Sequence, residues 1–365
     1  MATFLNSFEG RRVFVTGHTG FKGSWLCEWL LGLGAQVSGF SLPPATRPSL
    51  FRQLGLAARL DHREGNLGDA NAVAAALVAA RPHYVFHLAA QPIVRTAHAL
   101  PGETWATNVM GTVNVLEALR RLRNPCAAVM VTTDKVYRPS QAPRAEDHPV
   151  GAAEPYGASK AAVELAVEAW RMAYFPVHAA RGRGLPSVAL ATARSGNVIG
   201  GGDWARDRLM PDCVRALRQG KAIEVRNPEA VRPWQHVLDP LAGYLALAAE
   251  LRDALDGRHS ARLAEVSGAF NFGPAAGDHH RVREVVAEVL LRWPGSWRRA
   301  RAAGDPGETP VLRLDAAKAR RLLGWRPRWS FARAVEMTVT WYQGATSSSR
   351  ALEMTRRQLA EYNLR

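Results

Sequence analysis

The sequence predicts an α/β protein built on a doubly wound parallel sheet. Over roughly the first 190 residues, short apolar segments typical of strands alternate with segments whose apolar residues recur at helical spacing. The first apolar segment, residues 12–16, ends in a glycine-rich turn that opens the next helix. The second half of the chain is less regular, and its pattern predicts a smaller lobe of mixed α/β structure.

The elements follow from these periodicities. In the first half, strands are predicted at residues 12–16, 36–42, 84–88, 127–132 and 187–193, with helices at 23–33, 71–80, 107–121 and 159–173. In the second half, helices are predicted at 211–219, 241–251, 281–292 and 331–342, with strands at 223–225 and 269–272. The expected domains are residues 1–190 and 191–365, with a segment near 231–262 returning to the first.

Two further expectations concern the end of the chain. Residues after Gly344, which include three consecutive serines, are predicted to be loosely held. Five tryptophans are expected to form the core of the smaller lobe: Trp293, Trp297, Trp325, Trp329 and Trp341.

The chain is basic, with 47 Lys and Arg against 32 Asp and Glu and a net charge of +15. No long basic run and no nucleic-acid-binding motif is present, so we do not expect nucleic acid as a partner. Cys27, Cys126 and Cys213 are too few for a disulfide framework or a cysteine zinc site. No apolar run approaches the roughly 18 residues that span a bilayer, and no secretory signal is expected at the start. We therefore expect a reduced, cytoplasmic protein with no membrane contact and no bound metal.

Residues 17–23, Gly-His-Thr-Gly-Phe-Lys-Gly, lie between the first predicted strand and its helix. Glycines at this spacing permit a tight turn, a close approach of the backbone to a pyrophosphate, and close packing of helix on strand. The second strand ends in Phe40-Ser41-Leu42, without the acidic residue that binds an adenosine ribose, so NAD and NADP both stay open. The loop predicts a Rossmann-type dinucleotide site with ligands from Gly17, Thr19, Gly20, Phe21, Lys22 and Gly23.

Tyr156 and Lys160 are four residues apart in a predicted helix, so their side chains share one face. A neighbouring ammonium favours a phenolate, and we expect it to lower the pKa of Tyr156 so that the tyrosine acts as a base. Such a spacing taken alone more often marks a surface pair. Here Thr133, directly after a predicted strand, is expected to share a substrate hydroxyl with Tyr156.

Four segments carry a more specific pattern: residues 17–24, 132–137 (Thr-Thr-Asp-Lys-Val-Tyr), 195–204 (Ser-Gly-Asn-Val-Ile-Gly-Gly-Gly-Asp-Trp) and 231–237 (Val-Arg-Pro-Trp-Gln-His-Val). With Tyr156 and Lys160, they resemble the extended, nucleotide-sugar branch of the short-chain dehydrogenase/reductase superfamily and, within it, the CDP-glucose 4,6-dehydratase family. The resemblance runs from about residue 10 to residue 342. It implies NAD as the cofactor and a substrate-binding role for the smaller lobe.

The resemblance also assigns further binding residues. Asn66 is expected at the adenine edge, although a simple turn residue would explain it equally well. The other implied cofactor contacts are Leu67, Leu88, Ala89, Ala90 and Thr107, beside Tyr156 and Lys160 themselves. The implied substrate contacts are Gln91, Asn197, Trp204, Arg208, Arg232 and His236.

The implied reaction converts CDP-glucose to CDP-4-keto-6-deoxyglucose. Tyr156 takes the C4 hydroxyl proton as hydride leaves C4 for the nicotinamide, water is lost across C5–C6, and hydride returns to C6. Asp134 and Lys135, which follow Thr133, are the expected acid and C5 base of the dehydration. A lysine acts as a base only where its surroundings favour the neutral form; otherwise Lys135 stays charged and polarises the ketone.

Other activities fit parts of the pattern. A nucleotide-sugar 4-epimerase needs Tyr156 and Lys160 but no acid–base pair after Thr133. A dehydratase for a UDP- or GDP-linked sugar is closer, since UDP-sugar dehydratases that invert C5 also pair Asp with Lys; the motifs with Trp204 and Trp234 favour CDP-glucose. A non-catalytic dinucleotide sensor of the same fold is a further alternative. Such proteins tend to lack the catalytic tyrosine, which is present here as Tyr156. The resemblance also implies a homodimer formed through two helices of the larger domain, and a role in deoxysugar biosynthesis for the lipopolysaccharide O-antigen.

Overall fold

A sheet of seven parallel strands runs through the centre of the molecule, whose computed structural model describes residues 2–176, 187–300 and 309–364. The strands in these residues are β1 (Arg12–Thr16), β2 (Gln36–Ser41), β3 (Asp61–Glu64), β4 (Tyr84–His87), β5 (Cys126–Val131), β6 (Val188–Ser195), β7 (Val198–Ile199), β8 (Ile223–Val225), β9 (Val231–Arg232), β10 (Gln235–His236), β11 (Ala269–Phe272), β12 (His280–Arg281) and β13 (Trp297–Arg299). The order in the central sheet is β11-β6-β5-β4-β1-β2-β3. The winding reverses between β1 and β4, which opens a crevice at their carboxyl ends. The predicted fold class is confirmed.

Helices cover both faces of this sheet. Those in the described residues are α1 (Ala2–Leu5), α2 (Phe21–Gly32), α3 (Leu50–Gln53), α4 (Ala70–Ala80), α5 (Val94–Ala99), α6 (Pro101–Trp105), α7 (Gly111–Leu119), α8 (Pro155–Tyr174), α9 (Leu209–Arg218), α10 (Leu238–Leu255), α11 (Leu263–Val266), α12 (Val282–Leu290), α13 (Ala317–Leu323), α14 (Phe331–Gly344) and α15 (Ser348–Leu364). A π-helical segment, Ala106–Met110, joins α6 to α7. Among the described helices, none is both long and apolar enough to cross a membrane.

The inner strands of the central sheet are buried on both sides, and their side chains alternate between two cores. In β1, Val13 and Val15 pack with α2 and α10, whereas Phe14 packs with α4, α7 and α8. All six residues of β5 and all eight of β6 are buried, as a parallel sheet covered on both faces requires.

The smaller lobe is built from short elements around its own core. β8 pairs with β13 and β9 with β12, and α9, α12 and α14 pack against them. Two later elements return to the central sheet: β11 pairs with β6, and α10 packs against β5 and β6. The predicted boundary at residue 190 falls inside β6, so a division of the chain into two domains there stays a prediction.

Two expectations about the end of the chain are wrong. Residues after Gly344 form α15, which packs on α2, α3 and α14 and buries Met354, Leu359 and Tyr362. The sequence of α15 is mostly polar, but its buried residues recur at helical spacing along one face. The serine-rich composition after Gly344 gave no indication of this face. The tryptophans do not form one core: Trp325, Trp329 and Trp341 pack with the central sheet, Trp293 is half-buried, and Trp297 is exposed.

The attachment of α15 depends on a buried carboxylate, Asp239 of α10. Its Oδ1 accepts hydrogen bonds from Arg328 N and the Tyr362 hydroxyl, each at 2.8 Å. Its Oδ2 has no partner within the described residues. Burial raises the pKa of Asp239 to about 6, which means that the folded protein favours its protonated form.

We expect Asp239 to weaken the fold as the pH rises. A carboxyl whose pKa is higher in the folded state gives its full stabilisation below its unfolded value, and this is lost as the pH rises through the folded value. The Asp239→Asn variant keeps an acceptor but cannot titrate, so between pH 4 and pH 8 its free energy of unfolding should fall by roughly 2 kcal/mol less than that of the wild type. Urea unfolding at the two pH values measures the difference; parallel losses in both proteins would contradict it.

Candidate active site

The glycine turn between β1 and α2 is shaped by two close backbone contacts. Gly17 has φ +73°, and a Cβ there would lie 2.6 Å from Ala89 N. A Cβ on Gly23 would lie 2.1 Å from the carbonyl oxygen of Gly17. The helix begins at Phe21, and no side chain caps the preceding Gly20. The first amide groups of α2 therefore face the crevice, where they suit a pyrophosphate.

The crevice is one cleft with two connected halves. The cofactor half has a volume of about 500 Å³, and the substrate half about 290 Å³. All fourteen residues predicted to bind the cofactor line the first half: Gly17, Thr19, Gly20, Phe21, Lys22, Gly23, Asn66, Leu67, Leu88, Ala89, Ala90, Thr107, Tyr156 and Lys160. Both halves are lined by Asp134, Lys135, Asn197 and Arg208, so these residues lie where the halves meet. The glycine cradle and this groove fit a dinucleotide.

The end of β2 lines the cofactor half and bonds to the glycine turn. Thr19 Oγ1 lies 2.9 Å from Ser41 Oγ and donates to the Leu42 carbonyl at 2.8 Å. Asn66 Oδ1 accepts from Gly68 N at 2.9 Å, so its side chain shapes a turn as well as lining the groove. Thr107 lies in the π-helical segment, a distortion common at functional sites.

The helix α8 carries the predicted tyrosine and lysine at its first turns. Glu154 caps this helix, and its carboxylate accepts from Tyr156 N at 2.7 Å and Gly157 N at 2.6 Å. Tyr156 and Lys160 are both buried, and both line the cofactor half. Glu154 was not among the predicted site residues, although an acidic residue before Pro-Tyr is an N-cap signal that the sequence carries.

The expected lowering of the Tyr156 pKa is wrong for this structure. Burial raises the pKa of Tyr156 to about 12, and a hydrogen bond with Thr133 and the charge of Arg208 oppose this rise only in part. Lys160 Nζ donates instead to the Val131 carbonyl at 3.1 Å. Burial also lowers the pKa of Lys160 to about 8, because its ammonium is costly at this depth.

The catalytic turn, Thr133–Lys135, lies at the carboxyl end of β5. Thr133 Oγ1 donates to Asp134 Oδ1 at 3.0 Å, and Lys135 Nζ lies 3.8 Å from the same oxygen. Asp134 is nearly fully buried, and its Oδ2 has no partner within the described residues. A buried carboxylate oxygen without a partner is costly in a folded protein, and it suits a group that binds a ligand hydroxyl.

Four of the six predicted substrate residues line the cleft. Asn197 Oδ1 is buried and has no partner within the described residues. Arg208 pairs with Asp203 at 3.1 Å, and Arg232 donates to the Val231 and Pro310 carbonyls. Trp204 lines the cofactor half and donates to the side chain of a neighbouring glutamine at 3.0 Å.

The structure does not bring the other two, Gln91 and His236, to the cleft surface. Gln91 Nε2 donates to Thr104 Oγ1 at 2.9 Å and its Oε1 accepts from Ile93 N at 2.6 Å, so its side chain holds a loop. His236 is fully buried, with its ring 4.5 Å from that of Trp329. Burial lowers the pKa of His236 to about 3, as expected for a neutral core histidine.

The Lys22 ammonium lines the cofactor half and bonds to two hydroxyl groups of the protein. Its Nζ donates to Ser195 Oγ at 3.0 Å and to the Tyr244 hydroxyl at 3.3 Å. Burial is the main reason why its pKa falls to about 7, and Arg208 and Lys160 add to the effect. Lys22 therefore joins the glycine turn to β6 and α10.

Within the described residues, no group of three or more His, Cys, Asp or Glu side chains could hold a metal ion.

Comparisons with known proteins agree with this geometry. The family model described as GDP-mannose 4,6 dehydratase matches residues 14–338. CDP-glucose 4,6-dehydratase of Salmonella typhimurium is 39% identical over 98% of this chain and 97% of its own length. dTDP-glucose 4,6-dehydratase 1 of Escherichia coli is 24% identical, over 92% of this chain and 93% of its own length.

Two solved structures share the fold. UDP-glucose 4-epimerase of Thermus thermophilus, in complex with NAD, has a TM-score of 0.74 and 25% identity over 92% of this chain and 100% of its own. dTDP-glucose 4,6-dehydratase of Streptomyces venezuelae, also with NAD bound, has a TM-score of 0.75 and 25% identity over 92% of this chain and 97% of its own. With the family model matched over residues 14–338 and a 39% identical relative matched almost end to end, the chain belongs to the nucleotide-sugar 4,6-dehydratase family that the GDP-mannose 4,6 dehydratase model describes.

Proposed function

We propose that the protein is an NAD-dependent hydro-lyase that converts CDP-glucose to CDP-4-keto-6-deoxyglucose. The observation that carries this proposal is the meeting of two chemical units in one cleft. Tyr156 and Lys160 line the cofactor half, and Asp134 and Lys135 lie where that half meets the substrate half. The 39% identity to a CDP-glucose 4,6-dehydratase supports CDP-glucose over other nucleotide sugars, and the NAD in both solved relatives supports NAD.

The first step is oxidation at C4. Bound NAD supplies the hydride acceptor for C4 and later the hydride donor for C6. Tyr156 takes the C4 hydroxyl proton, and its hydrogen bond with Thr133 favours the phenolate that this step needs. Lys160 lies one helical turn further on and would hold the nicotinamide ribose. The glycine turn and the start of α2 bind the pyrophosphate.

The second step is loss of water across C5–C6. The new C4 ketone acidifies the C5 hydrogen, and Lys135 removes it as a base. Asp134 then delivers a proton to the C6 hydroxyl, which leaves as water. Once hydride has returned to C6, the protonated Lys135 gives a proton back to C5. The unpartnered Oδ2 of Asp134 suits this hydroxyl, and Lys135 keeps a quarter of its side chain exposed toward the cleft.

The nucleotide occupies the substrate half. Arg232 and Asn197 bind the pyrophosphate of the substrate, since a guanidinium and an amide both donate hydrogen bonds to phosphate. Arg208 and Trp204 line the cleft between cofactor and nucleotide. Arg208 is held in place by Asp203.

The test of this proposal is turnover of CDP-glucose in competition with other nucleotide sugars. The purified protein with NAD should produce a 4-keto-sugar chromophore fastest from CDP-glucose, and more slowly from UDP-glucose, dTDP-glucose and GDP-mannose. No chromophore from any of them would contradict dehydratase activity. A faster reaction with another nucleotide sugar would make that sugar the substrate and would contradict the specificity for CDP-glucose.

The second candidate function is a nucleotide-sugar 4-epimerase. It is favoured only by the likeness of the fold to an epimerase at a TM-score of 0.74. An epimerase returns hydride to C4 and needs no acid–base pair beside C5 and C6. The buried carboxylate of Asp134, whose Oδ2 has no partner within the described residues, and the neighbouring Lys135 have no use in that reaction.

The glycine turn allows a direct test of cofactor binding. In the Gly23→Ala variant the new Cβ would lie 2.1 Å from the Gly17 carbonyl oxygen, so the turn must shift. We expect NAD affinity to fall at least tenfold, because the amide groups of α2 no longer face the pyrophosphate. Gly32→Ala is the matched control, since a Cβ there meets nothing within 4 Å on the same helix. Calorimetric titration with NAD measures both; equal affinities would contradict this role for the turn.

We also propose that the protein is a homodimer paired through α8 and the helical segment from α6 to α7. Large apolar side chains are exposed there: Leu165 (59%) and Met172 (70%) on α8, and Trp105 (42%) and Met110 (55%) beside it. A second copy would cover them by two-fold symmetry. Sedimentation should give a dimer, and a monomer would contradict the pairing.

The cytoplasmic location, based on the three free cysteines, and the O-antigen role stay predictions.

A further inference from the structure

A buried ion pair lies behind the catalytic turn, outside the cleft. Glu164 on α8 and Arg194 on β6 have side chains that are only 6% and 5% exposed. Arg194 donates to both carboxylate oxygens, from Nε to Oε1 at 3.0 Å and from Nη2 to Oε2 at 2.9 Å. Neither residue is among those lining the cleft. A buried pair of this kind contributes little net stability, but it can fix the arrangement of the groups around it.

This pair holds the chain on both sides of the catalytic turn. On the N-terminal side, Thr132 Oγ1 donates to Glu164 Oε1. On the C-terminal side, Arg194 Nη1 donates to the hydroxyl oxygen of Tyr137 at 2.8 Å. Both flanking residues are buried, and a low-dielectric surrounding strengthens such bonds. One ion pair therefore bonds to the residue before the turn and to a residue just after it.

The side chains within the turn bond mainly to one another. Asp134 Oδ1 accepts from the preceding threonine at 3.0 Å and lies 3.8 Å from Lys135 Nζ. Thr133 also forms a hydrogen bond with Tyr156 on α8. The Lys135 carbonyl also packs closely on Gly157 of α8. The two flanks of the turn add further side-chain bonds, which run to the Glu164–Arg194 pair.

We propose that the Glu164–Arg194 pair is a positioning device that keeps the catalytic turn at a fixed distance from the catalytic helix. Glu164 lies one helical turn after Lys160 and two turns after Tyr156, so the pair joins the two chemical units of the site. The inference rests on the proposed function, because in that reaction the helix performs the oxidation and the turn performs the dehydration. A displacement of about 1 Å can slow a step about 100-fold, so a loosened turn should slow dehydration selectively.

Two mild variants loosen the turn without breaking the ion pair. Thr132→Val removes the first flanking bond. Tyr137→Phe removes the second, together with the bond that the Tyr137 hydroxyl donates to Asn271 Oδ1 at 2.7 Å. With NAD and CDP-glucose, we expect each variant to oxidise C4 in the first turnover at within about threefold of the wild-type rate, and to dehydrate at least tenfold more slowly. NADH should therefore accumulate on the enzyme and be visible by its near-ultraviolet absorbance, whereas the wild type shows no such accumulation.

Thr192→Val is the matched control. Thr192 Oγ1 donates to Oε2 of the same Glu164 at 2.7 Å. It does so from β6, which carries no residue of the catalytic turn and neither Tyr156 nor Lys160. It should accumulate no NADH. The proposal is overturned if the two flanking variants slow oxidation and dehydration equally or change neither, or if the control accumulates as much NADH as they do. A wild-type protein that leaves CDP-glucose unchanged would overturn the proposed function itself, which is a different result.

Discussion

Replacing Lys135 with methionine is expected to stop the reaction after C4 oxidation, with NADH accumulating on the enzyme. Oxidation belongs to Tyr156 and Lys160 on α8, and the methionine leaves both in place. Without a base at position 135 the C5 hydrogen is not removed, so exchange of that hydrogen with solvent deuterium should disappear. We expect turnover to fall by about 100-fold or more, the usual contribution of a general base. Absorbance after one turnover and mass spectrometry of the recovered sugar measure the two effects.

Two further variants separate the base from its neighbours. Asp134→Asn should keep C5 exchange but slow the loss of the C6 hydroxyl, because it removes only the acid. Lys221→Met is the matched control, since Lys221 is an exposed lysine outside the cleft. If Lys135→Met neither accumulates NADH nor suppresses C5 exchange, Lys135 is not the base, and its role is to polarise the ketone or to support the fold.

Replacing Tyr156 with phenylalanine is expected to abolish turnover and to leave NAD affinity nearly unchanged. Only the phenolic oxygen is lost, and the glycine turn that binds the pyrophosphate is untouched. Loss of a positioned acid–base group costs about 100- to 10,000-fold, so kcat should fall within this range or below detection. Unlike Lys135→Met, this variant should accumulate no NADH, because the block precedes oxidation.

Tyr84→Phe serves as the control for Tyr156→Phe. Tyr84 is also buried, and its hydroxyl donates to the Ser7 carbonyl far from the cleft. Its loss should leave turnover close to that of the wild type. If Tyr156→Phe lost NAD affinity as strongly as turnover, the tyrosine would be a structural residue of the cofactor half.

The sequence predicted the parts of the site that belong to local motifs. The glycine turn, the Tyr156–Lys160 spacing and the turn after β5 are short segments, and each is placed by a strand end or a helix start. Since parallel strands bring their carboxyl ends to one edge, these segments meet in the cleft. The fold class could be predicted from periodicity because β5 is a continuous apolar run, as is typical of a strand that is covered on both faces.

Long-range contacts could not be predicted in this way. Gln91 and His236 were both expected to contact the substrate, but Gln91 holds a loop and His236 packs between aromatic rings. The Glu164–Arg194 pair joins residues thirty positions apart and carries no local signal. The burial that raises the pKa of Tyr156 to about 12 likewise depends on the packed site and not on the spacing to its lysine.

CDP-glucose that carries deuterium at C4 shows whether hydride taken from C4 returns to C6 after water is lost. We expect the deuterium to appear at C6 of a 4-keto-6-deoxy product, and in heavy water we expect a solvent deuteron at C5. Deuterium that stays at C4 of an epimerised sugar, or that is lost to solvent, would rule out this intramolecular hydride transfer.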